Sequence, residues 1–109
     1  MTGVQTCALP ISYASKLFRH NPGLKSFSDL SNRGNEVAFG TIGNASTAEG
    51  MFFEAFNAAG VLQIPMLVSV WDDDYGISVP QEYQTTKGSI SKILAGFQRT
   101  KSEIGRAHV

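Results

Sequence analysis

Two polar clusters in the 109-residue chain carry residue types suited to gripping a metal-bound anion. Gly43-Asn44-Ala45-Ser46 follows a short apolar run and precedes an apolar-periodic stretch, and Asp72-Asp73-Asp74-Tyr75 closes a second apolar run. Small residues in the first cluster let backbone approach a ligand closely. The unpaired N–H groups and positive potential of a helix start attract an anion such as a diphosphate. Carboxylate, amide and backbone oxygens in the second cluster suit Mg2+, whose octahedral shell is completed by water and phosphate oxygens. On spacing alone, the same residues also fit a turn shaped by Asn44 and a solvated loop of aspartates.

These clusters need elements to position them. Glu36 to Ile42 is short, apolar and β-branched at Val37 and Ile42, which predicts a buried strand ended by Gly43. Ser46 with Glu49 three residues later forms a capping-box pattern, and Ala48, Met51, Phe52, Ala55, Phe56, Ala59 and Leu62 recur at helical spacing. Pro65 closes that helix, and Met66 to Trp71 has strand length and composition. A crossover helix between two buried strands makes them parallel, so the fold class is α/β, with one βαβ unit of an open sheet. Ligands of such sheets bind beyond the carboxyl ends of the strands, where both polar clusters fall.

The flanks read more simply. Tyr13 to His20 is the tail of a helix with Ala14, Leu17 and Phe18 on one face, stopped by Asn21-Pro22-Gly23. Ser26 to Asn35 reads as a polar loop and Tyr75 to Gly88 as a long one. Ser89 caps a last helix with apolar positions Ile90, Ile93, Leu94 and Phe97.

Composition narrows the function classes. At 11.7 kDa, with 42% hydrophobic and 17% charged residues, the chain allows one small globular domain and not a complete large enzyme. Nine Lys and Arg balance nine Asp and Glu, so no basic excess draws it to nucleic acid or an anionic membrane. The longest apolar run, Ala58 to Met66, is interrupted by Gln63 and Pro65 and falls short of the roughly 20 residues of a membrane span. A soluble, cytoplasmic protein is expected. A single cysteine, Cys7, excludes an intrachain disulfide, and no Cys/His cluster has zinc spacing.

The two ends stand apart from this pattern. Glu103 to Val109 is the translation of GAG ATC GGA AGA GCA CAC GTC, the start of a widely used sequencing-library adapter, and Met1 to Ile11 corresponds to the complementary adapter with Ser12 at the join. Residues 1–12 and 103–109 are therefore read as adapter-derived, and residues 13–102 as an internal piece of a longer parent.

From Gly43 to Gln84 the residues become recognisable as a set. Gly43-Asn44-Ala45, then Glu49-Gly50 and Glu54-Ala55-Phe56-Asn57-Ala58-Ala59, then Asp72-Asp73 and Tyr75-Gly76-Ile77-Ser78-Val79-Pro80 together resemble the thiamine diphosphate motif of 2-oxo acid dehydrogenase E1 components. That motif runs GDG, a spacer of somewhat under thirty residues, NN, and commonly YAIS with a proline. Asn35 to Gly43 and Tyr83 to Ser91 look like the bacterial 2-oxoisovalerate dehydrogenase type, whose alpha and beta portions are fused. The resemblance implies a thiamine diphosphate-binding, E1 alpha-like domain over residues 13–102.

It also implies the site. Gly43, Asn44, Ala45, Ser46, Asp73, Tyr75 and Ile77 would bind the cofactor, with the Asn44 and Asp73 side chains and the Tyr75 carbonyl on Mg2+. Asn44 stands where the family usually has an acidic ligand and Asp73 where it usually has asparagine. The exchange keeps one carboxylate and one amide; read instead as a plain substitution, Asn44 weakens the site. Asp74 replaces a common glycine, and Trp71 an arginine that several relatives direct at the diphosphate.

The implied activity is oxidative decarboxylation of a 2-oxo acid, of branched-chain type, with the acyl group passed to a lipoyl-bearing E2 partner. The cofactor-activating glutamate would come from an E1 beta-like portion or second subunit. No residue of this chain matches it, so no catalytic residue is assigned and the 109-residue chain is expected to lack turnover. Glu49 reads as a cap, Glu54 as a solvated or interface position, and His20 as a surface residue. Phe52 and Phe56 read as core, Phe53 as a residue able to face another subunit. Lys87-Gly88-Ser89 lacks the strand and glycine spacing of a phosphate loop. Two other classes fit the Asp cluster: a Mg2+-dependent phosphotransfer-type α/β domain and a non-enzymatic interaction piece.

Overall fold

The computed structural model describes residues 7–98. Residues 1–6 and 99–109 lie outside that range, and with them the whole adapter-like stretch 103–109 and part of 1–12. Strand β1, Ala38–Gly43, and strand β2, Met66–Trp71, pair in parallel, from Ala38 opposite Met66 to Gly43 opposite Trp71. Helix α2, Gly50–Leu62, joins them, which is the expected α/β arrangement. Strand β2 has the expected bounds. Strand β1 starts at Ala38 and not at Glu36, because the Glu36 carbonyl accepts from Ser15 Oγ at 2.8 Å and so stays outside the ladder.

The sheet is two strands wide, with unequal faces. Side chains alternate along a strand, so Ala38, Gly40, Ile42, Met66, Val68 and Val70 share one face, which is buried or half-buried. Phe39 and Leu67, register partners on the other face, are exposed. The core is small. Phe52 is fully buried, and Ala8, Ala38, Ala55 and Ile90 complete it. The Phe52 ring meets Phe56 at 4.6 Å and, edge-on, Phe53 at 5.3 Å. Phe53 in turn stacks on Phe97 at 6.4 Å. Phe53 thus has an aromatic partner within the chain and stays half-buried.

Two helix expectations change. Helix α2 begins at Gly50, with Glu49 as its N-cap residue and no side-chain cap bond; residues Asn44–Ala48 form a separate 3-10 turn. The Ser46/Glu49 pattern therefore makes no capping box. The contact that remains is backbone, from Glu49 N–H to the Ser46 carbonyl at 3.4 Å. Helix α1, Leu9–His20, stops at Asn21 as expected, but it buries Ser12 and Ser15 while Leu17 stays exposed. Small serines let the helix approach the turn at Gly34 (φ +73), whose carbonyl accepts from Arg19 Nε at 3.0 Å and Nη2 at 2.6 Å. Leu9–Ser12, inside the stretch read as adapter-derived, continue this helix.

The two expected loops carry structure of their own. Pro22–Leu30 is 3-10 helical with a kink at Phe27, where Ser26 to Asn35 was expected to be irregular. Within Tyr75 to Gly88 lies a hairpin of β3, Tyr75–Gly76, and β4, Val79–Pro80, followed by 3-10 turns Gln81–Tyr83 and Thr86–Gly88. Helix α3, Ile90–Leu94, has the expected cap, Ser89 Oγ accepting from Lys92 N–H at 3.4 Å. No helix among the described residues is long and apolar enough to cross a membrane.

Candidate functional site

Both polar clusters lie at the carboxyl ends of the parallel strands. The register ends with Gly43 opposite Trp71, so Asn44 and Asp72 each come one residue past the last pair. The chain then turns into the 3-10 segment Asn44–Ala48 on one side and the β3–β4 hairpin on the other, and these two pack together. Gly76 allows that closeness. A Cβ there would lie 2.7 Å from Ala45 Cβ and 2.5 Å from Gln84 Nε2.

Asn44 is only 6% exposed, yet its carboxamide has no hydrogen-bond partner among the described residues. Its carbonyl is engaged, accepting from Thr47 Oγ1 at 2.6 Å. A buried polar group left unpaired costs free energy, so a carboxamide in this state is one prepared for a partner from outside the chain. The first N–H groups of the 3-10 turn, around Ala45 and Ser46, have no acceptor within it.

The three aspartates differ in availability. Both carboxylate oxygens of Asp72 are taken, Oδ1 by the Asp74 N–H at 3.1 Å and Oδ2 by Gln81 Nε2 at 2.8 Å. Asp73 accepts from the Tyr75 N–H at 3.2 Å through Oδ1, which leaves Oδ2 unpaired among the described residues. Asp74 adopts a left-handed backbone, φ +66. Tyr75 and Pro80 form a non-hydrogen-bonded pair of the hairpin, flanked by the bond from the Gln81 N–H to the Asp74 carbonyl, so the Tyr75 carbonyl points away from β4. An amide, one carboxylate oxygen and a backbone carbonyl, all uncharged or singly charged oxygen donors, thus remain free at the two strand ends. Such a set suits a cation that keeps waters and phosphate oxygens in its shell. Among the described residues no group of three or more His, Cys, Asp or Glu is placed to hold a metal.

Ile77, at the hairpin tip, is fully solvent-exposed and left-handed, φ +60, a rare state for a β-branched residue. Residues that the sequence reading passed over hold the loop. Gln81 is buried; its N–H donates to the Asp74 carbonyl at 2.8 Å, and its side chain holds Asp72. Gln84 Nε2 donates to the Val79 carbonyl at 2.5 Å. Nothing in local composition marks these glutamines, because each acts across a turn on residues five to nine positions earlier.

Two concavities lie nearby or apart. One of about 240 Å3 adjoins the site, lined by Thr47, Phe52, Phe53, Gln84, Thr85 and Ile93 among others. The other is an open groove around Ser31, Asn32 and Glu36, whose residues precede β1 and belong to neither cluster.

A model of the dehydrogenase E1 component family matches residues 4–99. Curated relatives include the 1-deoxy-D-xylulose-5-phosphate synthases of three bacteria. That of Ralstonia nicotianae is 36% identical over 56% of this chain and 12% of the relative. For Aliarcobacter butzleri the identity is 34%, over 66% of this chain and 12% of the relative. For Cupriavidus metallidurans it is 38%, over 54% and 12%. The chain thus spans 12% of the length of the relatives it matches.

Proposed function

The chain belongs to the dehydrogenase E1 component family, whose members depend on thiamine diphosphate, and from that premise we propose that its two strand ends hold the magnesium-bound diphosphate of that cofactor. The Asn44 carboxamide, one Asp73 carboxylate oxygen and the Tyr75 carbonyl would bind Mg2+. Ala45 and Ser46 N–H groups would face the diphosphate, Gly43 leaves room for it, and Ile77 at the hairpin tip would contact the cofactor. The observation that carries this reading is the buried, unpartnered carboxamide of Asn44. When bound, the cofactor supplies the electron sink that lets a 2-oxo acid lose carbon dioxide.

For the parent we propose the E1 component of a cytoplasmic, branched-chain 2-oxo acid dehydrogenase, with an E1 beta-like portion and a lipoyl-bearing E2 as partners. The agreement of Asn35 to Gly43 and Tyr83 to Ser91 with the fused 2-oxoisovalerate type supports it. A second reading rests on the relatives at 34 to 38% identity: the parent makes 1-deoxy-D-xylulose 5-phosphate on the same anchor. We read residues 1–12 and 103–109 as foreign to either parent.

Trp71, the single tryptophan and 72% exposed, borders Asp72 and reports on the site. Titrating the chain with thiamine diphosphate and Mg2+ should change Trp71 fluorescence only when both are present. Asn44→Ala and Asp73→Ala should each weaken that response by about tenfold or more, and Asp74→Asn should leave it intact. A wild-type chain with no Mg2+-dependent response overturns the anchor. Sequencing outward from codons 13–102 recovers the parent, and assaying it for 2-oxo acid decarboxylation with lipoyl transfer against sugar-phosphate formation separates the two activities.

A further inference from the structure

We propose that Gln81 is a positioning residue that sets which aspartate is free to meet the metal, an inference that rests on the diphosphate-anchor reading above. The loop from Asp72 to Pro80 has little packing to hold it: Asp72, Asp73, Asp74, Tyr75, Ile77, Ser78 and Val79 are all exposed. It also contains two non-glycine residues with left-handed backbone, Asp74 at φ +66 and Ile77 at φ +60. A loop in that state keeps one shape only if directed bonds over-determine it.

Gln81 provides two of them and is itself anchored by two more. Its side chain holds Asp72 Oδ2 at 2.8 Å, its N–H holds the Asp74 carbonyl at 2.8 Å, and its own carbonyl accepts from Gln84 N–H at 3.0 Å and Thr85 N–H at 2.8 Å. The buried residue is thereby tied to the following turn while it grips both sides of Asp73 in the chain. With each Asp72 oxygen already engaged by a donor, Gln81 or the Asp74 N–H, Asp73 alone in the adjoining pair keeps an oxygen with no hydrogen bond among the described residues. Without the Gln81 amide, Asp72 regains a free carboxylate oxygen and competes for the cation in a different geometry. Gln81 touches neither proposed ligand atom; it acts through the loop.

A swapped pair tests this directly. Gln81→Glu sets two carboxylates against each other, whereas Asp72→Asn combined with Gln81→Glu restores the bond with donor and acceptor exchanged. On the full chain, with thiamine diphosphate and Mg2+ followed by Trp71 fluorescence and the unfolding midpoint taken without ligand, Gln81→Glu should weaken binding by about tenfold or more. The swapped double variant should recover to within about threefold of wild type, which a general structural role for Gln81 does not predict. Gln81→Leu carries the same comparison should Gln81→Glu lose its fold. Wild-type affinity in Gln81→Glu or Gln81→Leu, or no recovery in a folded swapped variant, overturns the role of Gln81 while leaving the anchor standing. Absence of any Mg2+-dependent response in the wild type removes the anchor and this role with it.

Discussion

Helix α2 and the loop that follows β2 are built on opposite terms. The helix buries Phe52 and Ala55 completely or nearly so and presents apolar residues around most of its circumference. Its stability comes from area removed from water, which is non-directional and spread over many contacts. The loop from Asp72 to Gln84 exposes nearly all its side chains before Gln81 and is held by a handful of hydrogen bonds and one close glycine contact. The frame should therefore tolerate polar changes in the loop, and the loop should lose its shape to substitutions that leave the frame folded.

Phe52→Ala attacks the frame and should have the largest effect. Removing the one large, fully buried side chain next to Phe53 and Phe56 should cost about 3–5 kcal/mol, measured by chemical denaturation. A loss below about 1 kcal/mol would mean that burial at Phe52 does not carry the frame. Gly76→Ala attacks the junction between turn and hairpin. Its Cβ would sit 2.5 Å from Gln84 Nε2 and 2.7 Å from Ala45 Cβ, and the overpacking should cost about 1–3 kcal/mol. Binding of Mg2+ and thiamine diphosphate should fall further than the unfolding midpoint does; equal losses would erase the distinction between the two regions.

Ile77→Gly sharpens the comparison in the other direction. Glycine is the ordinary residue for positive φ at the first position of such a two-residue hairpin turn, so the variant should unfold at a slightly higher temperature, by about 1 kcal/mol of relieved strain. A lowered midpoint would show that Ile77 packs more than it strains. The smallest effect is expected far from both regions, at Glu36. Its own backbone N–H and then that of Asn32 hold its carboxyl below the ordinary value, outweighing the opposing effect of burial, with smaller help from the hydroxyls of Ser31 and Ser15. A lowered folded-state pKa means that this contribution is complete above the unfolded carboxylate pKa and is lost as pH falls through the folded one. Glu36→Gln should flatten that acid-side decline in the unfolding midpoint, and an unchanged profile would remove Glu36 from it.

Much of the frame was legible because periodicity is local. The spacing of Phe52, Ala55, Phe56 and Ala59 and the run Met66 to Trp71 each signal their element without reference to anything distant. The start of α2 was not legible in the same way. Ser46 and Glu49 have capping-box spacing, yet the Thr47 hydroxyl binds the Asn44 carbonyl and the chain completes a 3-10 turn first. Nor was the docking face of α1, where Ser15 goes inside to donate to the Gly34 and Glu36 carbonyls and Ser12, also buried, donates to the Ala8 carbonyl of its own helix.

By itself the sequence determined the strand-helix-strand order, the parallel pairing and the placement of Asn44 and Asp72 at neighbouring strand ends, since apolar spacing and the rules for crossovers suffice for these. Tertiary structure alone decided which oxygens are free there. That choice depends on Gln81 reaching back to Asp72, on the hairpin register turning the Tyr75 carbonyl away from β4 and on Asn44 being buried with no side-chain partner among the described residues. Hydrogen-bond saturation is a property of groups brought together by the fold, and no spacing of residues along the chain encodes it.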